Sequence, residues 1–181
     1  MKSPRHFTIE EYNPEWKKRF ENVADRLRQL LGDNLIEIEH IGSTSIEGMV
    51  AKPQIDVLAI VRDISKIKDI VGELEEVGFT YHGGGYIRHN KEDEYLSEDT
   101  KDGIRLTSVH ILPKDNFEIS EFKIFRDYLR NNIQDKELYI NIKKELYALH
   151  DQNYPAYDAG KEGVVKAIIA RAKVWSDNNN I

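Results

Sequence analysis

The sequence predicts an α/β fold: a core over residues 1–115, with a C-terminal helical region over 116–181 packed on it as one compact unit. Three observations carry this expectation. Two strand-like apolar runs, "LIEIEHI" and "QIDVLAIV", follow an amphipathic helix. A third such run, "IRLTSVHIL", precedes residue 115, and beyond Ile119 the pattern turns helical. A chain of 181 residues, 40% hydrophobic and 32% charged, can bury one sizeable core under a solvated surface.

Asn13-Pro14 suits a helix start, with Asn as cap and Pro in the first turn. The run to Leu31 sets Trp16, Phe20, Val23, Leu27 and Leu30 on one face, and Gly32 stops it. Leu35–Ile41 then alternates as a strand. Pro53 marks the entry to the next strand, whose nearly unbroken apolar character fits a position covered on both faces. "DISKIKDIVGELEEVG" predicts an amphipathic helix closed by Gly78. Short strands are expected at Phe79–Tyr81 and Tyr86–His89, split by a flexible turn at Gly83-Gly84-Gly85. The acidic stretch "NKEDEYLSEDTKDG", including Glu92–Asp99, is expected to be a solvated loop or hairpin tip ending in Asp-Gly. Ile104–Leu112 is the next strand. Helices follow near Ser120–Asn131, Asp135–Gln152 and Ala159–Asp177, with Pro155 between the last two and a frayed "DNNNI" end.

Composition narrows the function. With no cysteine there is no disulfide, thiolate metal site or cysteine nucleophile, which fits a cytoplasmic location. "MKSPRHFTIEEY" has no apolar segment of a signal peptide, and no run approaches the roughly 20 apolar residues of a membrane span. A net charge of −6 argues against general nucleic-acid binding. A locally basic pocket for a small anion remains compatible with it.

The stretch "HIGSTSIEGMVAKPQIDVLAIV" holds the most chemistry. Gly42 directly after a strand allows a sharp turn and close backbone approach to a ligand. Ser43, Thr44 and Ser45 add hydroxyls and N–H groups suited to phosphate oxygens. Asp56 lies among apolar neighbours and needs a partner or a cation. Mg²⁺ bridging Asp56 and nucleotide phosphates would satisfy both needs. An ordinary turn beside a structurally paired carboxylate is the alternative. The pattern is no Walker loop, since Gly-Lys-Ser/Thr is absent.

"IEHIGSTSIEGMVAKPQIDVLAIV" resembles the signature of the GrpB-like proteins, a branch of the nucleotidyltransferase superfamily. "FRDYLRNN", "LYINIKKEL" and "YDAGKEGVV" resemble the family's helical half in the same order, so the likeness spans nearly the whole chain. It implies a nucleotidyltransferase-like mixed β-sheet flanked by helices. It also implies that Gly42 and Ser43 hold nucleotide phosphates and that Asp56 is a metal ligand. Active superfamily members usually carry a second acid two residues on; here, as generally in the GrpB-like branch, that position is not acidic and holds Leu58. His110 matches a family histidine, while Thr107 and Ser108 stand where histidines are also frequent.

Further candidates come from position. His40, Asp56 and His110 would converge as a metal site or a general-base pair if their strands are neighbours; His40 otherwise rims the core. Lys52 and Arg105 flank the turn and would neutralise phosphate, or are surface cations. Arg126 and Arg130, four apart, would clamp a phosphate or tie the helical half to the core. Lys143 and Lys161 fall where the family tends to have lysine, Lys161 being the better ligand candidate. The first expected function is nucleotidyl transfer from a nucleoside triphosphate, with Mg²⁺, to an unidentified acceptor. In it Asp56 and His110 act at the metal, while Gly42–Ser45, Lys52, Arg126 and Lys161 bind phosphate. The alternatives are a non-catalytic nucleotide- or phosphometabolite-binding protein and a scaffold without a ligand.

Overall fold

The first helix opens on Asn13 and Pro14. The Asn13 side-chain carbonyl accepts from the Glu15 N–H (3.0 Å), and α1 runs Glu15–Leu31. Trp16, Phe20, Val23, Ala24, Leu27 and Leu31 are buried along its inner stripe, and Gly32, at φ 47°, ends it. A computed structural model describes residues 7–85 and 92–179 of the chain. The expected strand at Tyr86–His89 and the last two residues of the "DNNNI" end therefore lie outside the described residues.

Helix α1 packs on a five-stranded sheet of β1 (Leu35–Ile41), β2 (Ile55–Val61), β3 (Thr80–Gly83), β4 (Glu94–Asp99) and β5 (Arg105–Pro113). The order is β1-β2-β5-β4-β3; β2 and β5 run parallel and every other pair antiparallel, a mixed sheet. Val57, Ala59, Val61, Val109 and Ile111 meet α1 on one face. On the other face Ile41, Leu58, Ile60 and Leu112 pack under Ile119 and Phe122 of α3 (Glu118–Asn131). Helices α4 (Ile133–His150) and α5 (Tyr154–Asn179) close a third core with α3 around Tyr128, Leu129, Tyr139, Ile168 and Ala172. Ile46 and Met49, from the loop between β1 and β2, insert into that helical core. Among the described residues no helix is long and apolar enough to cross a membrane.

Three expectations need correction. The acidic segment read as a solvated loop forms β4, where Glu94, Tyr95, Leu96 and Ser97 are buried. Its charges are answered by partners outside the strand. Glu94 accepts from the Tyr81 hydroxyl (2.6 Å), Glu98 pairs with Arg26 (2.7 Å) and Asp99 with Arg105 (2.5 Å). The segment after Asp63 is a 3₁₀ run over Ile64–Ile70, and only Val71–Glu76 (α2) is α-helical. Asp63 accepts from both the backbone and the hydroxyl of Ser65, which favours the tighter turn. Helix α5 begins at Tyr154 rather than Ala159, because Pro155 sits in its first turn, where a missing N–H costs nothing.

Candidate functional site

The register of β1 against β2 decides which candidates can meet. Ile41 pairs with Asp56, and Asp56 in turn pairs with Ser108 on β5. Asp56, Leu58, Ser108 and His110 therefore share the sheet face beneath the C-terminal helices. His40 pairs with Val57 and points to the opposite face, so the expected convergence of His40 with Asp56 and His110 does not occur.

Gly42 turns the chain at φ 69°. A Cβ built on it would lie 2.5 Å from Asp56 Oδ2, closer than real Cβ contacts come, so turn and carboxylate abut only because this residue is glycine. Ser43–Ser45 form one 3₁₀ turn. Ser45 Oγ donates to the Gly42 carbonyl (2.6 Å), and Thr44 Oγ1 donates to the Gln54 carbonyl (3.1 Å). Gln54 Nε2 donates to Asp56 Oδ1 (2.8 Å) and to Ser108 Oγ (3.0 Å). Ser108 bonds the Tyr95 hydroxyl (2.7 Å), to which Arg105 also donates. A polar chain thus runs across the sheet face and fixes one oxygen of Asp56.

Three lysines from separate segments approach this turn. Lys143 of α4, only 2% exposed, donates to the Val50 carbonyl (2.5 Å), lies 2.8 Å from Ser43 Oγ and sits 4.4 Å over the Tyr139 ring. Burial holds its amine well below the ordinary lysine range; the nearby Lys161 and Lys52 push the same way, and Asp56 opposes them. Lys52 donates to the Tyr154 hydroxyl (2.8 Å), and Lys161 pairs with Asp158 (2.9 Å) beside the Tyr157 ring. They line a cavity of about 450 Å³ together with Gly42, Ser43, Thr44, Asp56 and His110. Its wall carries Phe122, Phe125, Tyr139, Val165 and Ile169, with Glu118 and Glu121 from the first turn of α3. His110 Nδ1 is buried without a hydrogen-bond partner among the described residues, and burial lowers the basicity of the ring.

Among the described residues that line the cavity, Asp56 is the carboxylate that abuts the turn, while Glu118, Glu121 and Asp158 come from the helices. Leu58, where a second acid would stand, is 0% exposed and packed among Ile41, Ile60 and Leu112. Among the described residues no group of three or more His, Asp or Glu is placed to hold a metal. A Mg²⁺ ion is nonetheless compatible with Asp56, because it commonly takes one or two carboxylates and completes its shell with waters and substrate phosphates.

His40, Ser45 and Arg126 face a second hollow of about 850 Å³, on the α1 side of the turn, whose boundary the Thr44 side chain shares with the cavity. His40 stacks on Phe20 (4.8 Å, 4°). Thr44 spends its proton on Gln54, so His40 Nε2, 3.0 Å away, is the donor to Thr44 Oγ1. Burial, then Arg130 and Arg126, lower its pKa from 6.5 to about 4. Arg126 donates to Glu39, to Asp127 (2.7 and 3.1 Å) and to the His40 carbonyl (3.1 Å). This is the tie between helical half and core that the sequence left open beside a phosphate clamp. Gln54 and Tyr139 were not singled out from sequence, and Lys143 was ranked behind Lys161. The signal for the last two was their i, i+4 spacing on one helix face.

The family model described as GrpB protein matches residues 6–171. A UPF0157 protein of Halalkalibacterium halodurans is 34% identical over 165 residues, covering 91% of this chain and 82% of that protein. The crystal structure of the GrpB protein from Enterococcus faecalis superposes with a TM-score of 0.85 at 36% identity, over 93% of this chain and 99% of the other. Cid1, a poly(U) polymerase, is similar in fold alone, with a TM-score of 0.54 at 18% identity over 83% of this chain and 48% of Cid1. The resemblance seen in the glycine-serine turn and the helical half thus holds over the whole fold: the chain belongs to the GrpB family and has a nucleotidyltransferase-like architecture.

Proposed function

We propose that the cavity between sheet and helices binds a nucleoside triphosphate or a related phosphometabolite, and that the reaction open to it is transfer of a nucleotidyl group to an acceptor. One observation carries this reading. Lys52, Lys143 and Lys161, from three separate segments, gather around the Gly42–Ser45 turn and Asp56 in one cavity. Lysine side chains collected beside hydroxyls and a tight glycine turn suit phosphate oxygens. A volume of about 450 Å³ is within the size range of small-molecule sites, and the aromatic and aliphatic wall suits a nucleobase. Cid1 has been solved with MgGTP and with the UTP analogue UMPNPP, and those ligands belong to Cid1.

Asp56 would hold Mg²⁺, which when bound supplies charge neutralisation on the phosphates. Gly42 keeps the backbone clear for phosphate, Ser43 and Thr44 border it, and Gln54 orients Asp56. His110 presents a neutral imidazole to the cavity. Arg126 and His40 act from behind the turn, supporting it rather than touching ligand.

A second reading, nucleotide binding without turnover, is favoured by one observation: Leu58 fills the second acid position and is packed rather than exposed to the cavity. A thermal-shift panel of nucleoside triphosphates with and without Mg²⁺ tests both readings. A ligand at ten times its dissociation constant adds about 1.4 kcal/mol, or roughly 3–6 °C for a domain of this size. The expected result is a Mg²⁺-dependent shift that shrinks in Asp56→Asn, and pyrophosphate release by the responsive pair then separates transfer from binding. A flat panel at millimolar ligand overturns both.

A further inference from the structure

Among the three hydroxyls of the turn, the structure sets Ser43 apart. Thr44 and Ser45 donate to backbone carbonyls. Ser43 Oγ instead faces an amine, Lys143 Nζ, at 2.8 Å, and the Tyr139 hydroxyl also bonds it. Ser43 keeps partial exposure and borders the cavity, so an electrophile placed there can reach it. Lys143 comes from a helix a hundred residues away and is fixed by a second bond, to the Val50 carbonyl (2.5 Å). Both of its partners are uncharged.

We propose that Ser43 and Lys143 form a nucleophile and general-base pair, through which the chain takes a phosphoryl-type group onto Ser43 as a covalent ester. A buried amine with neutral partners and two further ammoniums nearby is favoured in its uncharged form. The direction in which burial, Lys161 and Lys52 move Lys143 agrees with this, and Asp56 on β2 is the facing charge that opposes it. An uncharged amine has two N–H groups and one lone pair. One N–H goes to Val50; in the proposed pair the Tyr139 hydroxyl donates to Ser43 Oγ, and the Ser43 hydroxyl donates to the amine's lone pair across the 2.8 Å contact. That is the arrangement a serine needs to become a nucleophile at neutral pH. The Tyr139 hydroxyl, whose own ionisation is pushed up by burial, stays protonated beside them.

The step rests on the nucleotide reading for its donor. The Ser43 Oγ–P bond forms at the α-phosphorus, the bond from that phosphorus to the bridging oxygen breaks, and pyrophosphate leaves. The Ser43 proton passes to Lys143 Nζ, giving an ammonium next to the new ester. When an acceptor hydroxyl displaces Ser43, Lys143 returns the proton to Oγ and the acceptor's own proton goes to water.

A fluorophosphonate probe tests the pair without any nucleotide, since attack forms the Oγ–P bond and expels fluoride. Intact-mass and peptide analysis of wild type should find one adduct, on Ser43, forming at a rate that rises with pH and levels off below the ordinary lysine range. Ser43→Ala should remove the adduct. Lys143→Met should slow it by about 100-fold or more, and so should Lys143→Arg, which carries a fixed positive charge and cannot take a proton. Thermal unfolding identifies which of these variants are folded. An unmodified Ser43 in the wild type, or an unchanged rate in a folded Lys143 variant, overturns the proposal. If Ser43 reacts but no nucleoside triphosphate protects it, the pair stands and the nucleotide reading falls; if nucleotides bind and Ser43 is inert, the pair alone falls.

Discussion

The turn at Gly42–Ser45 separates two hollows whose cations are used differently. On the α1 side, Arg126 spans Glu39, Asp127 and the His40 carbonyl, Arg130 holds the Ser45 carbonyl (2.7 Å), and Lys136 holds that of Glu47 (3.2 Å). Those cations are committed to holding the turn against α3 and α4. On the cavity side, Lys143 meets only uncharged groups, and Lys161 and Lys52 disfavour its charge further. Both hollows carry basic groups, and what separates them is how those groups are matched: Arg126 meets two carboxylates, whereas the hydrogen bonds of Lys143 go to uncharged groups. A guanidinium already paired with two carboxylates gains little from a phosphate. An amine held below its ordinary basicity can instead accept a proton released at the site.

The comparison can be broken at several points. The largest expected effect is on the matched side. Arg126, with 9% of its side chain exposed, leaves Glu39 and Asp127 without their shared partner when replaced. Arg126→Met should cost about 3 kcal/mol in chemical denaturation, while the folded fraction keeps its nucleotide response. Loss of binding in folded protein would move the anion site to the second hollow, on the α1 side of the turn.

Next is His40, whose folded pKa near 4 lies below its ordinary 6.5. Between those values the unfolded chain binds a proton that the folded chain does not, so stability rises with pH across this window and is lost as pH falls through it. The difference amounts to about 2–3 kcal/mol between pH 7 and pH 4. His40→Gln, which keeps a donor for Thr44, should flatten that part of the stability profile, and an unchanged slope would refute the buried neutral imidazole.

Gly42→Ala places a side chain at φ 69° and against Asp56. It should destabilise by about 2 kcal/mol and abolish Mg²⁺-dependent nucleotide binding; wild-type binding would mean that turn and carboxylate are not one unit. Smallest in stability is Lys143→Met. Exchanging a buried amine for an apolar chain of similar length should change unfolding by less than about 1 kcal/mol. Its effect belongs to the ligand.

Much of this was legible in the sequence. Leu35–Ile41 and Ile55–Val61 read as strands because their apolar pattern is local, and Gly42 and Asp56 stood out because each violates its surroundings. Strand β4 did not, because its acids look solvated until Arg26, Tyr81 and Arg105 are known to answer them. His40 was grouped with Asp56 because their strands were expected to be neighbours, as they are. Register separates them, and the intervening loop conceals register, since a one-residue offset moves a side chain to the other face. The Ser43–Lys143 contact joins two halves of the chain that no motif connects.

In the proposed function the anion site lies on the cavity side of the turn. Calorimetric titration of Mg²⁺-nucleoside triphosphates into Lys143→Met and Arg130→Gln, side by side with wild type, tests it most directly. Lys143→Met is expected to lose binding while Arg130→Gln keeps the wild-type dissociation constant. Binding retained in Lys143→Met and lost in Arg130→Gln would contradict it.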